Sequence, residues 1–110
     1  MVIFEDDPLI RPLLEHWLGD AGYRVAQQGP SDIRPALVIA DIANPNEARP
    51  RIQMLQAYAA PIVVLSARFR RGLAGSAAVA RRLGVSKVLP KPFTRRELLT
   101  AVQEALEGAA

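Results

Sequence analysis

The side chains that could do chemistry in this chain are three carboxylates, a hydroxyl and an ammonium group, each at or just beyond the end of an apolar run: Glu5, Asp6, Asp41, Ser66 and Lys91. Two carboxylates about 4 Å apart repel each other by roughly 4 kcal/mol at an effective dielectric constant near 20. Three gathered carboxylates therefore need protons or a cation. Oxygen ligands without nitrogen or sulfur suit Mg²⁺, which keeps several waters and binds phosphate oxygens. If these residues meet, they indicate a magnesium site that handles phosphate.

The same side chains could support phosphoryl transfer. A carboxylate beside Mg²⁺ can attack phosphorus and form an acyl phosphate. Ser66 could donate a hydrogen bond to one phosphoryl oxygen, and Lys91 could neutralise another. Because such a reaction depends mainly on positioning and electrostatics, the elements that carry these residues decide whether they can act together.

Strand-like and helix-like segments alternate along most of the chain. Apolar runs predict strands at Val2–Phe4, Tyr23–Ala26, Leu37–Ala40, Ile62–Leu65 and Val85–Leu89. Helical spacing predicts helices over Leu9–Leu18, over a short segment after Pro50 marked by Ile52 and Leu55, over Ala74–Leu83 before Gly84, and over Leu98–Leu106. The alternation predicts an α/β fold with a parallel sheet covered on both faces, in one domain of residues 1–110.

Capping signals mark the first and last helices. Asp7 is a candidate N-cap with Pro8 at the first helical position, and Gly22 is expected to end that helix. Thr94 and Glu97 have the spacing of a capping box. In an open parallel sheet, ligands bind outside the carboxyl ends of the strands. We therefore expect the residues that follow the predicted strands to meet at one edge.

The composition is that of a folded protein. The chain has 110 residues, of which 50% are hydrophobic and 23% charged, and its lack of cysteine excludes disulfides and thiolate metal sites. No apolar run approaches the ~20 residues that a membrane span needs. The first run meets acidic residues at once, unlike a signal peptide. We therefore expect a cytoplasmic protein without a membrane partner.

Short motifs at the strand ends resemble, in order, the signature positions of response-regulator receiver domains. They are Glu5-Asp6-Asp7-Pro8, Asp41 with Pro45 four residues on, Ser66-Ala67 and Lys91-Pro92-Phe93. The resemblance extends over nearly the whole chain. It implies a CheY-like, doubly wound five-stranded parallel sheet of strand order 2-1-3-4-5. It also implies a signalling switch of a two-component phosphorelay rather than an enzyme, phosphorylated by a histidine kinase or a histidine phosphotransferase.

The resemblance assigns a role to each site residue. It implies a Mg²⁺ site formed by Glu5, Asp6, Asp41 and the backbone carbonyl of Ala43. Asp41 is also the implied phosphoacceptor. The implied phosphate-binding and switch residues are Ser66 and Lys91, and the family usually has a cis peptide bond before the proline that follows the lysine, here Pro92.

Two of the chain's departures from the family pattern bear on the cover of the sheet and on the switch. Gln28–Pro35 is too short for the usual helix between the second and third strands, so we expect a loop there. The strands Val2–Phe4 and Leu37–Ala40 would then lose cover on one face. Either Ile33 and the loop prolines fold down as a partial lid, or a second chain covers the face; the shortness of the loop favours a homodimer or another partner at that edge. Val88 also replaces the aromatic residue that commonly swings upon phosphorylation, which puts that coupling in doubt.

Basic residues cluster in the second half of the chain, and they predict an acidic output protein as partner. They are Arg68, Arg70, Arg71, Arg81, Arg82, Lys87, Arg95 and Arg96, near the predicted fourth helix, fifth strand and fifth helix. The alternative is that they only solvate the surface, as the small net charge of +3 would allow. No recognition motif or aromatic platform supports nucleic-acid binding.

Other functions fit the residues less well. A phosphatase or dehalogenase of the haloacid type needs a second aspartate two residues after the first, where this chain has Ala43. A dinucleotide-binding domain needs a glycine-rich turn where the acidic residues lie. The alternative that stays open is a degenerate receiver that acts as a non-phosphorylated protein-interaction module.

Overall fold

Strands and helices alternate along the chain, as the sequence predicts. The computed structural model describes residues 1–5, 7–25, 36–42, 48–66, 80–81 and 83–108. The strands are β1 (Val2–Phe4), β2 (Val38–Asp41), β3 (Ile62–Ser66) and β4 (Lys87–Pro90). The helices with described bounds are α1 (Ile10–Asp20), α2 (Ala48–Gln56) and α3 (Arg95–Gly108). Residues 80, 81 and 83, between β3 and β4, are also helical and precede Gly84. Within the described residues, no helix is long and apolar enough to cross a membrane.

The strands form one parallel sheet in the order β1-β2-β3-β4. Their register places Phe4, Ala40, Val64 and Val88 in one row across the sheet. The carboxyl end of every strand therefore lies at the same edge. This confirms the predicted α/β class and the parallel sheet.

Apolar side chains cover both faces of the sheet. On one face, helices α1 and α3 supply fully buried residues such as Leu14, Leu18, Leu98 and Val102. On the other, α2 contributes a second cluster, in which Ile52 is buried against the strands. Each buried aliphatic side chain of this kind stabilises the fold by roughly 1.5–3 kcal/mol. This burial fixes the helices against the two faces of the sheet.

Side-chain caps begin helices α1 and α3. The Asp7 Oδ1 atom accepts hydrogen bonds from the Leu9 and Ile10 N–H groups at 2.8 and 3.3 Å. Before α3, the Thr94 N–H donates to Glu97 Oε1 at 2.9 Å, and the Glu97 N–H donates to Thr94 Oγ1 at 3.1 Å. These bonds satisfy N–H groups that have no partner within the helix. The predicted capping box of α3 is confirmed, whereas Asp7 caps the turn before α1, which begins at Ile10 rather than at the predicted Pro8.

The predicted second strand is not formed over its described part. Residues 23–25 belong to no strand, and Ala26 lies outside the described residues, as does the predicted loop Gln28–Pro35. The five-stranded order and the replacement of the helix by a loop are therefore not confirmed.

The prediction that a second chain must cover part of the sheet is not supported. Val2 is 8% exposed, and Leu37, Val38, Ile39 and Ala40 are all fully buried within the single chain. Part of the cover comes from Tyr58, just after α2, whose ring lies 5.9 Å from the half-buried Phe4 ring, centroid to centroid. The argument for a homodimer at this edge loses its premise.

Candidate functional site

Four of the predicted site residues lie at the carboxyl edge of the sheet. Glu5 directly follows β1, Asp41 ends β2, Ser66 ends β3 and Lys91 directly follows β4. Each stands one to three positions beyond the row of paired residues that crosses the sheet. The parallel register thus brings together residues that are as much as 86 positions apart in the sequence.

The Lys91 ammonium group joins the two described carboxylates of the site. Its Nζ atom lies 2.9 Å from Glu5 Oε2 and 2.8 Å from Asp41 Oδ1. The Glu5 and Lys91 side chains are 2% and 14% exposed, whereas the Asp41 side chain is 29% exposed. The two buried partners neutralise each other, and Asp41 keeps access to solvent.

Lys91 is held in its charged form. Burial alone would lower the pKa of its ammonium group, because the charge loses hydration. Hydrogen bonds and opposite charges from Asp41 and Glu5 outweigh that effect and raise the pKa above its ordinary value. The site therefore holds a fixed positive charge beside Asp41 throughout the physiological pH range.

Glu5 has a fixed orientation. Its Oε1 atom accepts a hydrogen bond from the Asp7 N–H at 3.0 Å, while its Oε2 atom accepts the bond from Lys91. Both carboxylate oxygens thus have a donor, as a buried carboxylate requires. Because Asp7 also caps α1, the orientation of Glu5 is tied to the start of that helix.

Backbone hydrogen bonds connect the strand ends that carry the other residues. The Lys91 N–H donates to the Ser66 carbonyl oxygen at 2.9 Å, and the Ile42 N–H donates to the Leu65 carbonyl oxygen at 2.9 Å. Ser66 is fully buried. The peptide bond between Lys91 and Pro92 is cis. The residues that directly follow β2 and β4 are therefore tied to the end of β3 beside the site.

The donor chemistry of the site suits a hard cation. The carboxylates of Glu5 and Asp41 are already close enough to share one ammonium group, and both offer only oxygen. The described residues contain no group of three or more acidic, histidine or cysteine side chains that could hold a metal ion. The third predicted carboxylate, Asp6, and the predicted carbonyl ligand, Ala43, lie outside the described residues.

Arg11 contacts the site's supporting backbone, and the sequence patterns did not single it out. Its Nη1 atom donates to the carbonyl oxygens of Ile3 and Glu5 at 3.1 and 3.2 Å. Its Nε atom lies 3.0 Å from Glu15 Oε1, one helical turn away. The only sequence signal was this i,i+4 pair of opposite charges, which is common on any helix surface.

Sequence comparisons find two relatives, each of which resembles this chain over a part of its own length. No family model matches the chain. A protein-glutamate methylesterase/protein-glutamine glutaminase of Hahella chejuensis is 32% identical over 105 residues, covering 84% of this chain and 30% of that protein. The DNA-binding transcriptional regulator NtrC of a Bradyrhizobium species is 32% identical over 124 residues, covering 96% of this chain and 24% of that protein. The chain thus spans less than a third of either relative.

Solved structures with a similar fold include several receiver domains. A CheY-like response regulator from Mesorhizobium loti has a TM-score of 0.73 at 23% identity, covering 94% of this chain and 95% of that one. A response regulator receiver protein from Burkholderia phymatum has a TM-score of 0.71 at 23% identity, covering 96% and 93%. A signal receiver domain of a diguanylate cyclase from Desulfovibrio desulfuricans has a TM-score of 0.74 at 21% identity, covering 98% and 93%.

Proposed function

We propose that this chain, which has the fold of response-regulator receiver domains, is a receiver that is switched by phosphorylation of Asp41. The observation that carries the proposal is the convergence of Glu5, Asp41 and Lys91 on one point at the sheet edge. The phosphoryl donor would be a histidine kinase or a histidine phosphotransferase. On the ground of this role we place the protein in the cytoplasm.

The chemistry would begin with Asp41. One of its carboxylate oxygens attacks phosphorus, the bond from phosphorus to the donor histidine nitrogen breaks, and the imidazole keeps the nitrogen electron pair and takes up a proton. The product is an acyl phosphate on Asp41. Lys91, already in contact with Asp41, can neutralise a phosphoryl oxygen, and Ser66 on the next strand can donate a hydrogen bond to another.

The chemistry of the donor set also supports a bound Mg²⁺. Glu5, Asp6, Asp41 and the carbonyl oxygen of Ala43 would hold the ion. When bound, Mg²⁺ would supply positive charge for the phosphoryl oxygens. Lys91 would then exchange its contact with the carboxylates for one with the phosphoryl group, where its positive charge would offset part of the phosphoryl charge.

We also propose that the segment after α1 adds a fifth strand to the sheet, beside β1. With that strand counted as the second along the chain, the strand order would be 2-1-3-4-5. The support is the amino group of Met1, which donates to the Arg24 carbonyl oxygen at 2.7 Å and so places that segment beside the start of β1. The methylesterase activity named for one relative is not part of the proposal, because the chain matches 30% of that protein.

Two-dimensional NMR tests the proposal directly. Adding Mg²⁺ should shift amide signals at the ends of β1 and β2, and adding beryllofluoride should then shift signals near Ser66 and Lys91 as well. A variant with Glu5→Ala and Asp6→Ala should need at least tenfold more Mg²⁺ for the same shifts, since it lacks two of the proposed oxygen ligands. Unchanged Mg²⁺ affinity in that variant would refute the metal site. If beryllofluoride leaves the wild-type spectrum unchanged in Mg²⁺, the non-phosphorylated interaction module becomes the better interpretation.

For the output partner we propose an acidic protein that binds beside β4 and α3. Arg81 and Arg96 are exposed there, and both line a groove that lies next to β4. Reversing both charges, with Arg81→Glu and Arg96→Glu, should weaken binding at least tenfold at low salt. The same change at Arg24, an exposed arginine near the opposite edge of the sheet, is the matched control. Once a partner is isolated, binding that is insensitive to salt and to the double reversal would contradict this proposal.

A further inference from the structure

The guanidinium group of Arg11 joins helix α1 to the outer edge of β1. It donates to two backbone carbonyls, those of Ile3 and Glu5, and forms an ion pair with Glu15 on its own helix. The side chain is 24% exposed, so most of it lies against the protein. A planar guanidinium can serve several acceptors at once because its donors point in fixed directions.

The two carbonyls lie on the side of β1 that faces away from β2. The Val2 N–H donates to the Leu37 carbonyl oxygen, so Val2 directs its backbone groups toward β2. Backbone groups alternate in direction along an extended strand, so those of Ile3 and Glu5 point to the opposite side. Arg11 therefore holds the strand from its outer edge, at the point where the chain leaves the sheet.

A closed set of hydrogen bonds surrounds Glu5. The Arg11 side chain donates to the Glu5 carbonyl, the Asp7 N–H donates to the Glu5 carboxylate, and the Arg11 N–H donates to the Asp7 carbonyl oxygen at 3.0 Å. The backbone of Glu5 and the start of α1 are thereby fixed relative to each other. With its backbone in this position, the Glu5 Oε2 atom lies 2.9 Å from Lys91 Nζ.

We infer that Arg11 is a positioning residue, which holds Glu5 in the geometry that binds a divalent cation. The inference rests on the proposed Mg²⁺ site. Arg11 contacts neither the carboxylate of Glu5 nor that of Asp41 in the described hydrogen bonds, so it acts through the backbone. Removing a group that orients a metal ligand without contacting the metal typically weakens metal affinity 10- to 100-fold.

The sign of the effect separates positioning from charge. Arg11 carries a positive charge close to a proposed cation site, and positive charge repels a cation. If charge were its only contribution, Arg11→Gln would tighten Mg²⁺ binding, and Arg11→Lys would leave it unchanged. Positioning predicts the opposite, because neither glutamine nor lysine can hold both carbonyls and Glu15 with a rigid fork.

The experiment is a Mg²⁺ titration of the folded wild-type protein and three variants, followed by NMR. We expect Arg11→Gln and Arg11→Lys to weaken Mg²⁺ binding about tenfold or more. Glu15→Gln removes the charge of the glutamate that pairs with Arg11 on the helix surface. The Mg²⁺ affinity of this variant should stay within about twofold of that of the wild type. The rate of phosphorylation by acetyl phosphate should fall for Arg11→Gln at limiting Mg²⁺ and recover at saturating Mg²⁺. A denaturant titration checks that each variant is folded.

The outcomes are distinguishable. If the wild type binds Mg²⁺ and folded Arg11→Gln binds it equally or more tightly, the role of Arg11 is overturned while the proposed function stands. If the wild type binds no Mg²⁺, the proposed function fails and the role of Arg11 in that site fails with it. An Arg11 variant that loses only stability, with Mg²⁺ affinity unchanged, also overturns the inference.

Discussion

We expect Asp41→Asn to abolish phosphorylation by acetyl phosphate in the presence of Mg²⁺. The carboxamide has nearly the shape of the carboxylate, so its oxygen can still accept the hydrogen bond from Lys91 and the fold should persist. An amide oxygen carries no negative charge and is a poor nucleophile toward phosphorus, so the acyl phosphate should not form. The rate of labelling should fall by a factor of at least about 10³, on the order of the loss when a catalytic nucleophile is removed.

Intact-protein mass spectrometry measures this result as the gain of one phosphoryl group. Asp20→Asn is the matched control, because it makes the same chemical change on an exposed aspartate at the end of α1. That variant should be labelled like the wild type. Equal labelling of the wild type and Asp41→Asn would show that phosphate is transferred elsewhere, or that the site is degenerate.

The sequence predicted the order of the elements well, and it assigned two helix-capping residues to strands for one physical reason. Tyr23 and Val85 are apolar residues after a glycine, and both were assigned to strands. Instead, the Tyr23 N–H donates to the Leu18 carbonyl oxygen, and the Val85 N–H donates to the Ala80 carbonyl oxygen. Both residues therefore complete the end of a helix, in the manner of a Schellman motif. Periodicity alone cannot separate such a capping residue from the first residue of a strand.

Those two helix ends depend on glycine. Gly22 and Gly84 have φ angles of +92° and +74°, which other residues adopt only at a cost. The glycines could be read from the sequence as helix ends, and that prediction is confirmed. What could not be read is that the cap also uses the residue after each glycine.

The candidate site was only partly predictable from the sequence. The residues after the strands could be named because parallel strands share one edge. The contact between Lys91 and Glu5 depends on the packing of residues 86 positions apart, and no local pattern encodes it. The role of Arg11 depends on contacts with backbone carbonyls. Because every residue has a carbonyl, no residue type in the sequence marks the two that Arg11 contacts.

Lys91→Met should destabilise the metal-free protein by about 3 kcal/mol, which is typical when one partner of a buried ion pair is removed. Glu5 is 2% exposed, and without the ammonium its negative charge would remain buried, with the Asp7 N–H as its donor among the described residues. Methionine nearly matches the length of the lysine side chain, so lost packing adds little. Because a domain of this size is stable by about 5–15 kcal/mol, the loss should be evident in a denaturant titration with a chelator present.

A variant in which Glu5, the partner of Lys91, is also substituted provides the control. In the double variant Glu5→Gln with Lys91→Met, no charge is left unpaired in the buried part of the site, so most of the lost stability should return.

The pH dependence has a definite sign. Because the folded pKa of Lys91 is raised above its ordinary 10.5, the stabilisation should be fully present below pH 10.5 and disappear as pH rises through the raised pKa. The wild type and Lys91→Met should therefore differ equally at pH 7 and pH 9. Equal unfolding midpoints at pH 7 would contradict the ion pairs on which the candidate site depends.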